Sequence, residues 1–287
     1  MTENKIQTTK IFYPNQRLSV PFWKTWGIIF RNVIESRQLI WYLYKRDFAV
    51  RYRKSFLGST WILISPLLAV VSWVFMNQTG FFRPGDLEVP YLVYVLVGTS
   101  VWRFFMKSYT DASKTLENGK KFSSQVYYPH EIMVAEQALI SATNFSITFA
   151  INLVVVLLYG ISLSWMLIFF PLVLLPLFFL GTGIGLISGL INVVVTDLKR
   201  VLDYVVGLFM WVTPVVYSTK LDNELIQLIV PYNPLTYLVS SAREIVISGE
   251  LYEPKVFFIC AAASLVFFLI ALRLFWVSEH RLIERLV

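Results

Sequence analysis

The stretch that decides the fold is LSWMLIFFPLVLLPLFFLGTGIGLISGLINVVVT (163–196), which contains no Asp, Glu, Lys or Arg. A helix needs roughly 20 apolar residues to cross the hydrocarbon core of a bilayer, so this stretch is longer than one straight crossing. Pro171 and Pro176 near its beginning predict an interfacial or kinked start. The stretch therefore predicts a membrane-spanning helix.

The rest of the chain has the same character. Of its 287 residues 56% are hydrophobic, and the mean hydropathy is +0.63. Such a composition leaves too little polar surface to cover a soluble globule of this length. Aromatic residues make up 16% of the chain, which suits membrane interfaces and surfaces that stack on sugar rings. We therefore predict an all-α integral membrane protein.

Charge-poor runs predict six transmembrane helices, at about 56–76, 89–109, 132–159, 166–196, 201–219 and 256–275. Between the fifth and sixth spans, residues 220–255 are semi-apolar but too charged and too interrupted by proline to cross twice. The apolar ranges 225–230 and 235–239 flank the sequence PYNP (231–234). This pattern predicts a re-entrant hairpin on the outer side.

The distribution of Lys and Arg predicts the orientation, because translocation penalises cations strongly and acids little. With both termini in the cytosol, the inner side holds 21 cations and the outer side only four. The N-terminus has no signal-peptide apolar core. We therefore predict a multi-pass protein of the cytoplasmic (inner) membrane, whose basic charge reflects topology and requires no nucleic-acid partner.

A helix over residues 36–55 is predicted to lie flat on the cytosolic leaflet, after a cytosolic N-terminal segment at 1–35. Apolar residues recur there at helical spacing, with Lys45 and Arg46 turned away from them. They are Leu39, Ile40, Leu43, Tyr44 and Phe48. On the fourth span, Gly181, Gly185 and Gly189 recur every fourth residue, which predicts close packing against another helix.

The sequence lacks the motifs of the common enzyme classes. It contains no Gly-x-x-x-x-Gly-Lys-Ser/Thr loop for ATP, no Gly-x-Ser-x-Gly elbow and no His-Glu-x-x-His helix. The two histidines match no zinc-binding spacing, and the single cysteine, Cys260, rules out an internal disulfide. We therefore predict no catalytic residue, no metal site and no cofactor in this chain.

A cluster of cations lies immediately before the first span. It comprises Lys45, Arg46, Arg51, Arg53 and Lys54. Anionic lipid headgroups explain such a cluster by default. A lipid-pyrophosphate substrate would use the same charges through charge-assisted hydrogen bonds, so both interpretations stay open.

Several blocks, in order, resemble one family. RDFAVRYRKSFLGSTWILISPLL (46–68), VYYPHEI (126–132), NVVVTDLKRVLDYV (192–205), TPVVYS (213–218) and YNPLTYLV (232–239) are similar to blocks of the type-2 ATP-binding-cassette permeases that export cell-surface polysaccharides. The resemblance covers the chain from about residue 36 onward. It implies that 56–287 form the permease domain.

The resemblance also implies partners. They are a second permease copy, two cytosolic ATP-binding-cassette subunits that hold ATP and Mg²⁺, and a lipid-linked glycan of the O-antigen, capsule or teichoic-acid type. The loop after the second span would contact the ATPase, with a smaller second contact after the fourth span. The residues implied are Lys114, Thr115, Leu116, Asn118, Lys120, Lys121, Phe122, Asp197, Lys199 and Arg200.

We hypothesise that the basic cluster captures a pyrophosphate head and that aromatic faces guide the glycan. The aromatic candidates are Trp61, Trp73, Trp102, Trp211 and Tyr217. One alternative is a type-2 permease for a drug or another lipid. Another is a membrane-embedded glycan transferase, which would form product by itself. A secondary carrier is disfavoured because no paired carboxylates lie within a span.

Overall fold

The computed structural model describes residues 17–53, 60–117, 131–220 and 224–286. Within these ranges every regular element is helical, which confirms the predicted all-α class. The α-helices described are α1 (Phe22–Glu35), α2 (Arg37–Arg53), α3 (Trp61–Gln78), α4 (Tyr91–Ser113), α5 (Glu131–Leu158), α6 (Phe170–Val194), α7 (Thr196–Val212), α8 (Glu224–Ile229), α9 (Pro234–Ile247) and α10 (Pro254–Leu286). Short 3₁₀ helices at Trp165–Phe169 and Val230–Tyr232 precede α6 and α9.

Three helical segments in the described ranges are long and apolar enough to cross a membrane, namely Glu131–Leu158, Trp165–Val194 and Pro254–Ser278. They coincide with the predicted third, fourth and sixth spans. Helices α3, α4 and α7 cover most of the predicted first, second and fifth spans. The count of six crossings stays a prediction.

The three glycines of α6 lie against α4, as their spacing predicted. A Cβ on any of them would meet a backbone carbonyl oxygen of α4. The oxygens are those of Phe105, Tyr109 and Ser113, at 2.8, 2.3 and 2.8 Å. Residue numbers increase in the same direction along both helices from one contact to the next, so α4 and α6 run parallel. Their backbones are in close approach.

The opposite side of α6 packs on α10. A Cβ on Gly183 would lie 2.9 Å from the ring of Phe267, and further along Leu186 shares a buried cluster with Phe275. Helix α5 runs antiparallel to α4, since Ser100 bonds to Asn152 whereas Thr115, just beyond the end of α4, bonds to Gln137. We call the end of the bundle where α4 and α6 end the basic end, and the opposite end the far end.

Helix α2 coincides with the predicted interface helix. Its buried residues Ile40 and Leu43 pack on Ile132 and Met133 at the start of α5. The predicted apolar stripe therefore faces protein along part of its length. The location of α2 in a membrane interface stays a prediction.

Helix α1 is an element that the sequence analysis did not predict. The Arg273 guanidinium of α10 donates to Thr25 Oγ1 at 2.7 Å and lies 5.0 Å from the centre of the Phe22 ring. Upstream, Arg17 donates to the carbonyl of Trp276 at 2.9 Å. These contacts attach the start of the described chain to its last helix at the basic end.

The segment predicted as a re-entrant hairpin contains α8, a 3₁₀ turn and α9. Asn233 begins α9, because its side-chain oxygen accepts from the Leu235 amide at 3.0 Å. Its amide nitrogen donates to Thr213 Oγ1 at 2.9 Å, which ties the hairpin to the end of α7. The depth of this hairpin in a membrane stays a prediction.

Candidate functional site

The segment after α7, TPVVYS (213–218), is fully buried although it is not helical. Backbone polar groups buried in this way need partners. The Pro214 carbonyl accepts from Arg243 at 2.7 Å, and the Tyr217 carbonyl accepts from the Tyr94 hydroxyl at 2.8 Å. The Ser218 amide donates to the Pro84 carbonyl at 2.7 Å. Side chains from α4 and α9 thus hold irregular backbone inside the far end.

Arg243 of α9 holds this arrangement together. It is 1% exposed, and its guanidinium lies 3.8 Å from the centre of the Tyr94 ring. Stacking on an aromatic ring and donation to a carbonyl compensate for burying the charge. Sequence reasoning counted Arg243 only as an outer cation. The available signal was its position in the apolar run LTYLVSSAREIVI (235–247).

Three of the five predicted aromatic path residues come together beside this segment. The rings of Trp73 on α3 and Trp211 on α7 lie 5.8 Å apart, centre to centre, at 62°. The Tyr217 hydroxyl donates to the Trp211 carbonyl at 3.1 Å. Trp211 is 57% exposed and so presents a free aromatic face.

The two remaining aromatic candidates lie elsewhere. Trp102 is 5% exposed and packs on Phe105 in the core, with no face open at the surface of this chain. Trp61 begins α3, and its side chain lies outside the described part of the structure. The structure therefore brings Trp73, Trp211 and Tyr217 together and does not bring Trp102 to them.

The basic cluster lies on α2 only in part. Lys45 is exposed and sits 5.0 Å from the centre of the Trp41 ring, while Arg46 pairs with Asp47 at 2.5 Å. Arg51 and Arg53 belong to the last turn of α2, but their side chains are outside the described residues, and so is Lys54. Among the described side chains of this cluster, Lys45 is the one that presents its charge to solvent.

The predicted first partner contact begins where α4 ends. Lys114 is exposed there, but Thr115 and Leu116 are buried. Thr115 Oγ1 donates to Gln137 Oε1 at 3.0 Å, and Leu116 packs with Trp276 in a buried cluster. These two residues anchor the segment to the bundle. Asn118, Lys120, Lys121 and Phe122 lie outside the described residues.

The predicted second contact lies at the start of α7. Asp197 and Arg200 are exposed and pair with each other at 3.1 Å. Lys199 instead turns inward and pairs with Asp203 at 2.6 Å. Asp203 also accepts from the Tyr109 hydroxyl of α4 at 2.5 Å. Sequence reasoning missed this link between α4 and α7, because Tyr109 and Asp203 are far apart along the chain.

The described residues hold no cluster of three or more His, Cys, Asp or Glu side chains that would suit a metal ion. At the far end, a polar cavity of 280 Å³ opens beside Arg243. Its lining includes five carboxylates, those of Asp86, Glu88, Glu244, Glu250 and Glu253, together with Lys220 and Arg243. Across the described ranges the site therefore consists of aromatic faces, ion pairs and a buried backbone segment.

The chain matches known proteins over most of its length. Residues 38–247 match the model of the ABC-2 type transporter family. An O-antigen export system permease protein, RfbA, from Myxococcus xanthus is 26% identical over 238 residues, which is 82% of this chain and 90% of that protein. An RfbA protein of the same description from Klebsiella pneumoniae is 26% identical over 212 residues, covering 72% of this chain and 80% of that protein. The matched range includes the basic cluster, the buried 213–218 segment and Arg243, and this chain belongs to the ABC-2 type transporter family.

Proposed function

We propose that this chain is the membrane permease subunit of an ABC exporter that moves a lipid-linked polysaccharide across the cytoplasmic membrane. The observation that carries the proposal is similarity to O-antigen export permeases over 82% of the chain. The cargo class is an O-antigen, capsule or teichoic-acid type of glycan. A separate ATPase subunit, which holds ATP and Mg²⁺, drives the export, because this sequence lacks a phosphate-binding loop.

The ATPase is proposed to bind at the basic end, through residues 114–122 and 197–200. Lys114, Asp197 and Arg200 are exposed there, which supports direct contact. Thr115 and Leu116 are buried against α5 and α10, which supports a second role for this segment. A displacement of the segment by the ATPase would be transmitted to these two helices. The functional unit is a homodimer of permeases with two such ATPase subunits.

The link between Tyr109 and Asp203 connects α4, which leads into the segment at 114–117, to α7. A shift of α4 would move Tyr109, and through Asp203 it would move the start of α7. Such a discrete hydrogen-bonded link suits a bistable element that a partner biases. In the proposed dimer, α3 and α7 of opposing copies form the lateral gate for the glycan.

The substrate is proposed to enter by its pyrophosphate head at the basic cluster. Lys45 supports this role, since its charge is exposed beside the Trp41 ring. The glycan then passes the aromatic faces of Trp73 and Trp211, where an aromatic ring packs on the apolar side of a pyranose and still allows sliding. Tyr217 is buried and supports this path by donating to the Trp211 carbonyl. The Trp73–Trp211 contact supports this path because it brings one ring from α3 and one from α7 together within each copy, on the helices that border the proposed gate.

The test is reconstitution of the chain in liposomes with its ATPase subunit. Lipid-linked glycan is expected to stimulate ATP hydrolysis, and the glycan is expected to appear on the opposite side of the membrane. Charge reversal of Lys120 and Lys121 removes the stimulation, while reversal of the exposed far-end residue Lys255 leaves it intact. ATP hydrolysis or sugar transfer by the chain alone would contradict the proposal. Stimulation by a drug or a glycan-free lipid, but not by lipid-linked glycan, would instead assign a different cargo.

A further inference from the structure

A long apolar groove runs along the surface between α5 and α6, with α4 as its floor. Its volume is 1130 Å³, slightly above the roughly 300–1,000 Å³ that ligand pockets occupy. Its wall contains stacked rings. The Phe149 and Phe170 rings lie 4.1 Å apart and nearly parallel, while Phe104 lies 4.9 Å from Phe145.

The groove lies between two of the helices that are apolar enough to cross a membrane. In a bilayer the medium around such a groove is hydrocarbon, so an apolar chain fills it without any desolvation of polar groups. The lining runs from Ala135 to Phe149 along α5. At 1.5 Å per residue this is about 21 Å, more than the roughly 15 Å depth of one leaflet's share of the hydrocarbon core. One extended acyl chain therefore fits along it.

The groove has one charged end. Arg37, at the start of α2, lines it at the basic end and is exposed. Among the residues that the structure describes, nothing forms a hydrogen bond or an ion pair with its guanidinium. The sequence around it, residues 22–53, contains seven cations and two acids. This end of the groove therefore attracts an anion.

Helix α1, which precedes Arg37, carries an apolar stripe of exposed residues. Its exposed residues Trp23 and Phe30 recur at helical spacing, and Ile34 continues this apolar stripe to the groove that it lines. Such a stripe, on a helix that also carries charges, is typical of a helix lying in a membrane interface. Arg37 follows α1 by two residues. With α1 in a membrane interface, a cation at its end would meet phosphate rather than hydrocarbon.

We propose that the groove binds one anionic phospholipid of the surrounding membrane, with an acyl chain along the phenylalanine wall and its phosphate on Arg37. The site is independent of the exported cargo and of the path at Trp73 and Trp211. Charge complementarity at Arg37 favours this occupant over a second copy of the chain, because the rim carries an excess of cations and two such rims would repel each other.

The test measures phospholipid retained by the full-length protein in nanodiscs of defined composition, by native mass spectrometry. In phosphatidylglycerol the wild type is expected to retain one tightly bound lipid per chain, and in phosphatidylcholine none. Arg37→Gln is expected to lower this occupancy about ten-fold, as for loss of one charge-assisted contact. The matched control is Arg31→Gln, since Arg31 is exposed on α1 and already pairs with Glu35 at 2.6 Å.

A second pair of variants tests the groove itself. Ala142→Trp fills the groove from an exposed position on α5 and is expected to abolish retention, while Ala150→Trp on the same helix, outside the lining, leaves it unchanged. Equal retention of both lipids, or by wild type and Arg37→Gln, would overturn the proposal. Dissociation of a dimer by Ala142→Trp without lipid loss would assign the groove to a second copy. Higher retention after deletion of residues 2–16 would assign it to the chain's own N-terminus.

Discussion

At the scale of single residues, the far end depends on one buried cation. Arg243 satisfies the Pro214 carbonyl and stacks on Tyr94, and Tyr94 in turn satisfies the Tyr217 carbonyl. Removing one partner from a buried polar network costs more than the pair contributes, because the other partner stays buried without compensation. The non-helical 213–218 segment is therefore expected to lose its position when Arg243 is removed.

Arg243→Leu is expected to destabilise the protein by about 3 kcal/mol, because it leaves a buried carbonyl without a donor. Thermal unfolding in detergent measures the change. Lys220→Leu is the control, since it removes a cation from the same end but one that is 75% exposed and pairs only with exposed Glu88, at 3.6 Å. Its effect should stay within about 0.5 kcal/mol. Equal melting temperatures for the two variants would contradict the role of Arg243.

Tyr109→Phe removes the hydroxyl that donates to Asp203 and leaves the ring in place. The expected loss of stability is about 1.5–3 kcal/mol, the contribution of a hydrogen bond to a charged group. We also expect substrate-stimulated ATPase activity of the reconstituted complex to fall, since the link between α4 and α7 is lost. Tyr204→Phe on α7 is the control, because its side chain is exposed. Unchanged stimulation in Tyr109→Phe would refute transmission through this hydrogen bond.

Trp211→Ala removes the exposed aromatic face of the proposed path. Loss of one stacking contact with the glycan removes about 1 kcal/mol of binding free energy. Glycan translocation should therefore slow several-fold, while assembly of the complex stays intact. Trp165→Ala is the control, since Trp165 is an exposed tryptophan at the same end on the 3₁₀ helix before α6. Transport of labelled glycan into inverted vesicles measures both. Similar transport rates in the two variants would show that Trp211 does not contact the glycan during translocation.

At the scale of elements, α6 is the centre of the bundle because its glycines let it approach neighbours on two sides. Gly185 has the closest contact, as its Cβ would lie 2.3 Å from the Tyr109 carbonyl oxygen. Two backbones that touch in this way cannot accept a side chain unless the helices separate. The parallel contact of α4 and α6 thus depends on residues with no side chain.

Gly185→Ala is expected to destabilise the bundle by about 1–3 kcal/mol through overpacking. Gly207→Ala is its control, because nothing lies within 4 Å of a Cβ at Gly207 in α7. That replacement should be neutral or stabilise by up to about 1 kcal/mol, through the higher helix propensity of alanine. Thermal unfolding of both variants shows whether each replacement lowers or raises the stability. A loss of stability of the same size in both would mean that helix contact is not the cause.

At the scale of the whole molecule, exposed cations collect at the end of the bundle where α4 and α6 end. The exposed cations Lys45, Lys114 and Arg200 lie at the basic end, where α4 and α6 end. The far end carries a cavity whose lining includes five carboxylates and two cations. If the basic end faces the cytosol, these cations lie on the side of the membrane that the positive-inside rule favours.

Cysteine labelling in intact cells tests this orientation. In a Cys260→Ser background, Glu88→Cys is expected to react with a membrane-impermeant maleimide, because Glu88 is exposed at the far end. Lys114→Cys should react only after the membrane is permeabilised. The two positions serve as controls for each other. Labelling of Lys114→Cys from outside would invert the topology and with it the proposed ATPase contact.

The sequence by itself determined the all-α class, the helix over residues 36–55, the break around PYNP (231–234) and the close packing of Gly181, Gly185 and Gly189. Each of these follows from a local pattern, since helical period, proline and glycine act within a few residues. The family resemblance can also be seen in the sequence alone, because it depends on short blocks of neighbouring residues.

Only the tertiary structure decided which residues meet. The contact of Trp73 with Trp211, the link from Tyr109 to Asp203 and the burial of Arg243 join residues that lie far apart in the chain. The tertiary fold also separated Thr115 and Leu116, which are buried, from exposed Lys114 beside them. In a bundle whose lipid-facing and core-facing residues are equally apolar, hydrophobic pattern does not distinguish one face from the other. Helix packing therefore decides which side chains are buried, and with them the geometry of the site.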